Sequence, residues 1–173
     1  METIEAKRIH IRFTRALSSY GNHADAQHRI SRKLASLLPH QAETRYRRVL
    51  EIGCGTGGFT GALKQQCHID EWILNDLCED CQKKIEQLFP GNPPLFIAGD
   101  AETLSFPGKY DLIASASTFQ WMKEPETFLH KLSGLLVPQG MLLFSTFVPG
   151  NLYEIKELTG KGLVYPTSDT LVG

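Results

Sequence analysis

The run Glu51-Ile52-Gly53-Cys54-Gly55-Thr56-Gly57-Gly58 constrains this chain more than any other segment. It follows directly on Arg48-Val49-Leu50-Glu51-Ile52, whose apolar residues read as a short strand running into glycines. Residues 57–67 after it suit a helix. A strand that turns this sharply into a helix needs backbone dihedrals that side chains resist, and glycines supply them. The same glycines let the backbone come close to a ligand. Gly53, Gly55 and Gly58 also satisfy G-x-G-x-x-G, the dinucleotide fingerprint, so the loop alone leaves the ligand open.

Strands and helices alternate from there on. Trp72–Asn75 suits a second strand and 78–89 a second helix. Pro93-Pro94 precedes a third strand, Leu95–Ala98. A fourth spans Asp111–Ser115. A helix over 125–136 is closed by Pro138 and Gly140, and Met141–Ser145 is a fifth strand. This alternation predicts an α/β fold of Rossmann-like type, a mostly parallel sheet with helices on both faces. Upstream, 4–38 reads as two helices broken at Gly21-Asn22. The second carries the apolar stripe Ala26, Ile30, Leu34, Leu37 and Leu38 and stops at Pro39; 40–47 reads as a polar connection. The expected division is a helical segment over 1–47, a lid and substrate segment, and a ligand-binding core over 48–173, forming one domain overall.

The length, 173 residues, suits one domain with a substantial core. Net charge is -1, which gives no reason to expect a nucleic-acid partner. The charge is uneven, however: residues 1–48 hold ten Lys/Arg against four acids, leaving that segment +6 and the rest -7. A basic segment attracts acidic partners, although a pair of solvated helices has the same composition. No apolar run reaches the roughly 18 residues of a membrane span, and the charged N-terminus lacks a signal-peptide core, so a cytoplasmic protein without membrane contact is expected. Cys54, Cys67, Cys78 and Cys81 are too few and too clustered for a secreted disulfide framework. Cys78-Glu79-Asp80-Cys81 is a C-x-x-C with no second pair to complete a zinc site, so no metal is expected.

Asp76 ends the second strand about 20 residues after the loop, where an acid typically accepts bonds from ribose hydroxyls; Asp80 is a fallback. Gly99-Asp100-Ala101 follows the third strand, with helix capping as the plainer alternative for Asp100. Ser115 to Trp121 follow the fourth strand, at the sheet end where ligands sit.

Glu51, Gly53, Gly55 and Gly57 resemble motif I, E/D-x-G-x-G-x-G, of class I methyltransferases. The resemblance implies S-adenosylmethionine as cofactor, with S-adenosylhomocysteine as product. The loop would surround its methionine part, Glu51 would help hold the amino group, Asp76 the ribose and Asp100 the adenine amine. The amide of Ala101 would meet a ring nitrogen; Cys54, Leu77 and Ser115 complete the implied set. A nicotinamide enzyme has no special need for Asp100. Gln120 and Trp121 would flank the sulfonium and the acceptor, an aromatic face beside a cation being favourable.

A narrower likeness lies in Arg12-Phe13-Thr14-Arg15-Ala16 with Tyr20, His23-Ala24 and Gln27, in Ser117-Thr118-Phe119-Gln120-Trp121, and in Ser145-Thr146-Phe147-Val148-Pro149-Gly150-Asn151 with Glu154 and Leu158. Together these resemble the malonyl-acyl-carrier-protein O-methyltransferases of biotin synthesis. That implies methyl transfer to the free carboxylate of a malonyl thioester, on acyl carrier protein or coenzyme A. No residue is then required as catalytic base. Tyr20, Gln120, Trp121 and Phe147 would form the acceptor pocket, with Tyr20 inside a lid. An acidic carrier protein would meet Arg29, Arg32, Lys33, Arg45, Arg47 and Arg48. Another class I methyltransferase, acting on a small acid or a quinone precursor, is the alternative. The family resembled has seven strands with a closing antiparallel hairpin. Only five are readable before Gly173, so the hairpin is expected to be missing.

Overall fold

The computed structural model describes residues 24–40 and 44–147. Helix α1 (Ala24–Ala35) precedes strand β1 (Arg45–Ile52), then α2 (Gly58–Gln66), β2 (His68–Asp76), a 3₁₀ turn (Glu79–Cys81), and α3 (Gln82–Gln87). There follow β3 (Leu95–Ala98), β4 (Tyr110–Ala116), a second 3₁₀ turn (Phe119–Trp121), α4 (Pro125–Ser133), and β5 (Leu136–Ser145). The sheet runs β3-β2-β1-β4-β5, and every pair in it is parallel. The order reverses between β1 and β4, the switch point at which such sheets bind ligands. This is the expected Rossmann-like α/β architecture.

Both faces of the sheet are covered, as side-chain alternation along a strand demands. Val49, Leu74, Leu112 and Ala114 face one apolar cluster with Leu34 and Ala35 of α1, Leu38 just after it, and Phe59 and Leu63 of α2. Their chain neighbours Leu50, Ile73 and Ile113 face the other, with Phe119, Phe128 and Leu132. Burying each such side chain is worth about 1.5–3 kcal/mol. Because α1 belongs to the first cluster, it is a layer of this core. The expected division at residue 47 falls inside β1.

Several boundaries differ from expectation: β2 begins at His68 instead of Trp72, the helix expected over 78–89 is confined to the 3₁₀ turn and α3, and two further shifts have a visible cause. Residues 45–47 continue β1 instead of forming a connection. Arg45 meets Asp70 of β2 through Nε at 2.8 and 2.9 Å, and Arg48 meets Glu71 at 3.0 Å. Cross-strand ion pairs let a polar sequence pair as strand. The last helix stops at Ser133, and β5 starts at Leu136 although it contains Pro138 and Gly140. A register shift between Tyr110 and Leu112 absorbs that stretch, with Gln139 at φ 66°. A bulge is where a strand tolerates proline.

Candidate functional site

A cavity opens at the carboxyl ends of β1 to β4, roofed by one face of α1. Its floor is the glycine turn. Gly53 stands at φ 68°, and a Cβ there would lie 2.2 Å from Thr118 Oγ1. Gly57 stands at φ 88°, and a Cβ there would lie 2.4 Å from Leu88 Cδ1. Side chains are excluded at both on two counts, a left-handed backbone and no space. The turn ends where α2 begins, at Gly58, which also lines the cavity.

Glu51 lies on β1 just before the turn and is 1 % exposed. Its Oε2 accepts a hydrogen bond from Thr60 Oγ1 of α2 at 2.8 Å. Its Oε1, equally buried, has no partner among the described residues. Burial pushes this carboxyl up to about 8; the Thr60 bond opposes that shift and the nearby Asp76 charge adds to it. A buried carboxyl with an unused oxygen fits a cation.

Asp76 ends β2 at the cavity wall. Its Oδ2 accepts from the Gly55 amide at 2.7 Å and its Oδ1 from the Cys78 amide at 2.8 Å. One carboxylate thus fixes the shape of the glycine turn and of the next loop. Asp100 and Ala101, after β3, also line the cavity. Asp100 Oδ1 accepts from the Glu102 amide at 3.0 Å, so it caps its own turn as well. Lys131 of α4 reaches under this turn. Its Nζ donates to the carbonyls of Ala101 (2.9 Å), Glu102 (3.0 Å) and Leu104. Burial lowers the Lys131 pKa, against the pull of the Asp100 and Glu102 charges.

Of the residues expected to hold a cofactor, Gly53, Cys54, Gly55, Asp76, Leu77, Asp100 and Ala101 line the cavity together. Glu51, Gly57 and Ser115 stand behind its wall. Ser115 is wholly buried, and its Oγ donates to the Ile52 carbonyl at 2.9 Å, tying β4 to β1. The acceptor candidates separate. Trp121 lies on the wall and is 39 % exposed. Gln120 turns away: it is 7 % exposed, and its Nε2 donates to the Ser117 carbonyl at 2.6 Å. Phe147 is half-buried and off the wall. Tyr20 lies outside the described residues.

The basic residues divide too. Arg29, Arg32 and Lys33 are exposed on α1, the helix that roofs the cavity. Arg45, Arg47 and Arg48 lie at the opposite end of the sheet, where β1 begins. Arg48 sits over the Tyr110 ring, 5.2 Å from its centroid. Sequence reasoning missed three contributors: the α1 face of Gln27, His28 and Ser31, the Glu51 partner Thr60, and Lys131. The helical spacing of Gln27 and Ser31 is the one signal that was there to use. Cys54, Cys78 and Cys81 are buried free thiols in the cavity lining, and burial raises the pKa of Cys54 and Cys81. Among the described residues no group of three or more metal-ligating side chains forms, and no helix is long and apolar enough to cross a membrane.

The methyltransferase domain family matches residues 50–144, from β1 to β5. This chain belongs to that family. Among curated relatives it is 44 % identical over 172 residues to the malonyl-[acyl-carrier protein] O-methyltransferase of Porphyromonas gingivalis, covering 99 % of this chain and 66 % of that protein. The protein of the same name from Bacteroides thetaiotaomicron is 41 % identical over 160 residues, covering 92 % of this chain and 61 % of that one. The methyltransferase chain thus spans less than two thirds of these relatives' length. Solved structures agree on the fold. The N-methyltransferase NodS of Bradyrhizobium japonicum, in complex with S-adenosylhomocysteine, superposes with a TM-score of 0.66 at 18 % identity, covering 85 % of this chain and 70 % of that one. A putative methyltransferase of Haloferax volcanii, in complex with the Trm112 activator, gives 0.71 at 16 %, covering 99 % and 73 %.

Proposed function

We propose that this methyltransferase uses S-adenosylmethionine to methylate the free carboxylate of a malonyl thioester carried by acyl carrier protein, the step that serves biotin synthesis. The observation that carries the donor half is the glycine turn flanked by three acids. Gly53 and Gly57 admit no side chain, Glu51 keeps a buried oxygen without a partner among the described residues, and Asp76 and Asp100 line the cavity. These residues fit the cofactor: a cationic amine suits Glu51, ribose hydroxyls suit Asp76, and the adenine edge suits Asp100 with the Ala101 amide. When bound, S-adenosylmethionine supplies an electrophilic methyl group on a sulfonium that is also its leaving group. The acceptor half is supported by the names of the relatives that match nearly the whole chain.

A malonyl carboxylate is ionised at neutral pH, so the protein needs no general base. Its residues must orient the carboxylate in line with the methyl group and keep water out. Trp121 offers an apolar wall, and an aromatic face favours a nearby cation. The buried Phe119 anchors that wall, stacked on Phe144 with centroids 4.5 Å apart. An acidic carrier would approach along α1, where Arg29, Arg32 and Lys33 are exposed beside the cavity. Malonyl-coenzyme A offers the same carboxylate without the protein contact. Tyr20 as a closing residue, and a lid and substrate role for the part of 1–47 ahead of α1, are further parts of this reading.

The test is intact mass spectrometry of the carrier after incubation with the protein and S-adenosylmethionine. One methyl in place of one proton is expected on malonyl-loaded carrier and none on acetyl-loaded carrier. Methylation of free small acids in preference to the malonyl carrier would overturn the acceptor assignment.

A further inference from the structure

Ser117 follows β4 at the switch point and lines the cavity, yet its backbone is left-handed, with φ 55°. A serine resists this conformation, so the surroundings must impose it. Two residues do so. The Ser117 amide donates to both the carbonyl (3.1 Å) and the Oγ (3.0 Å) of Ser145 at the end of β5. The Ser117 carbonyl accepts from Gln120 Nε2 at 2.6 Å. The amide side of Gln120 is therefore committed to this one carbonyl, while its buried Oε1 has no partner among the described residues. The consequence reaches the glycine turn. Thr118, the next residue, lies against Gly53, and its Oγ1 is 3.5 Å from the Gly53 carbonyl. The turn after β4 and the turn after β1 are thus packed against each other as adjoining walls of one cavity.

We infer that Gln120 is a positioning residue: by holding the Ser117 carbonyl it fixes the strained turn that forms the acceptor-side wall, with Ser145 fixing the same turn from β5. This rests on the methyl-transfer reading for its kinetic consequence and on the geometry alone for its structural one. Gln120 thus shapes the wall without touching the substrate.

The experiment compares wild type with Gln120→Met, Gln120→Glu, Ser117→Gly, and the double variant Gln120→Met with Ser117→Gly. Hydrogen exchange of the residue-117 amide and steady-state kinetics are read on each. Both Gln120 variants are expected to speed exchange at that amide at least tenfold. They are expected to lower kcat/KM for the malonyl carrier at least tenfold, with KM for S-adenosylmethionine shifting less than threefold. Glycine adopts the left-handed conformation freely, so the double variant is expected to return to the level of Ser117→Gly alone. Unchanged exchange in Gln120→Met and Gln120→Glu, or no recovery in the double variant, overturns the inference. If wild type fails to methylate the malonyl carrier, the acceptor reading falls, and the exchange data still decide the role of Gln120.

Discussion

The two walls of the cavity are built by different rules. On the β1–β3 side, one strand end, one glycine turn and one acid per strand do the work. The groups that matter lie within a few residues of a strand terminus, and Asp76 reaches back to Gly55 to lock the turn. On the β4–β5 side, the wall holds its shape through contacts distant in sequence: Ser145 on Ser117, and Phe144 on Phe119. The first wall is a local motif repeated at each strand end. The second is held by contacts from β5, the last strand in the sheet order.

The largest effect is expected where the walls touch. Gly53→Val adds a side chain to a left-handed residue already against Thr118, at a cost of about 2–4 kcal/mol from backbone and overpacking together. Urea denaturation should show that loss, and S-adenosylhomocysteine binding should disappear.

Next is Glu51→Gln, which acts on the first wall alone. The Glu51 carboxyl is raised from 4.5 to about 8, so the folded state binds its proton more tightly than the unfolded chain. Stability from this group is therefore full below pH 4.5 and is lost as pH rises toward 8. Glu51→Gln should flatten that decline in thermal unfolding between those pH values, and weaken S-adenosylhomocysteine binding by about ten- to a hundredfold, the loss of a charge-assisted contact.

Smaller changes separate surface from site. Reversing Arg29, Arg32 and Lys33 together to Glu should slow carrier association about tenfold at low salt and reduce its salt dependence. Arg45→Glu, at the far end of the sheet and already paired with Asp70, should not. Stopped-flow association at two ionic strengths checks both. Ser115→Ala removes the bond to the Ile52 carbonyl and should cost about 1 kcal/mol in urea denaturation. If S-adenosylhomocysteine affinity instead falls as far as in Glu51→Gln, Ser115 belongs to the binding set directly.

The sequence made the first wall legible because its chemistry is short-range. Glycines after an apolar strand, Asp76 at the next strand end and Asp100 at the third can all be counted along the chain, and the structure brings the turn and both acids to one cavity. The parallel pairing of the sheet follows from the same alternation. The second wall was read less well. Phe119, Gln120 and Trp121 are adjacent, but one 3₁₀ turn sends them to the core, to the Ser117 carbonyl and to the cavity. Periodicity cannot resolve a three-residue turn. The polar start of β1 was hidden because its stabilising acids, Asp70 and Glu71, sit on another strand. Lys131 was hidden in the same way, its acceptors lying 27 to 30 residues upstream.

The most direct test of the first wall as an S-adenosylmethionine site is titration calorimetry of S-adenosylhomocysteine into the protein at pH 7, in buffers of different ionisation enthalpy. The account predicts one-to-one binding with net proton release, as the ligand ammonium draws Glu51 into its charged form, and no such release in Glu51→Gln. Absence of binding, or tighter binding of a nicotinamide dinucleotide, would contradict it.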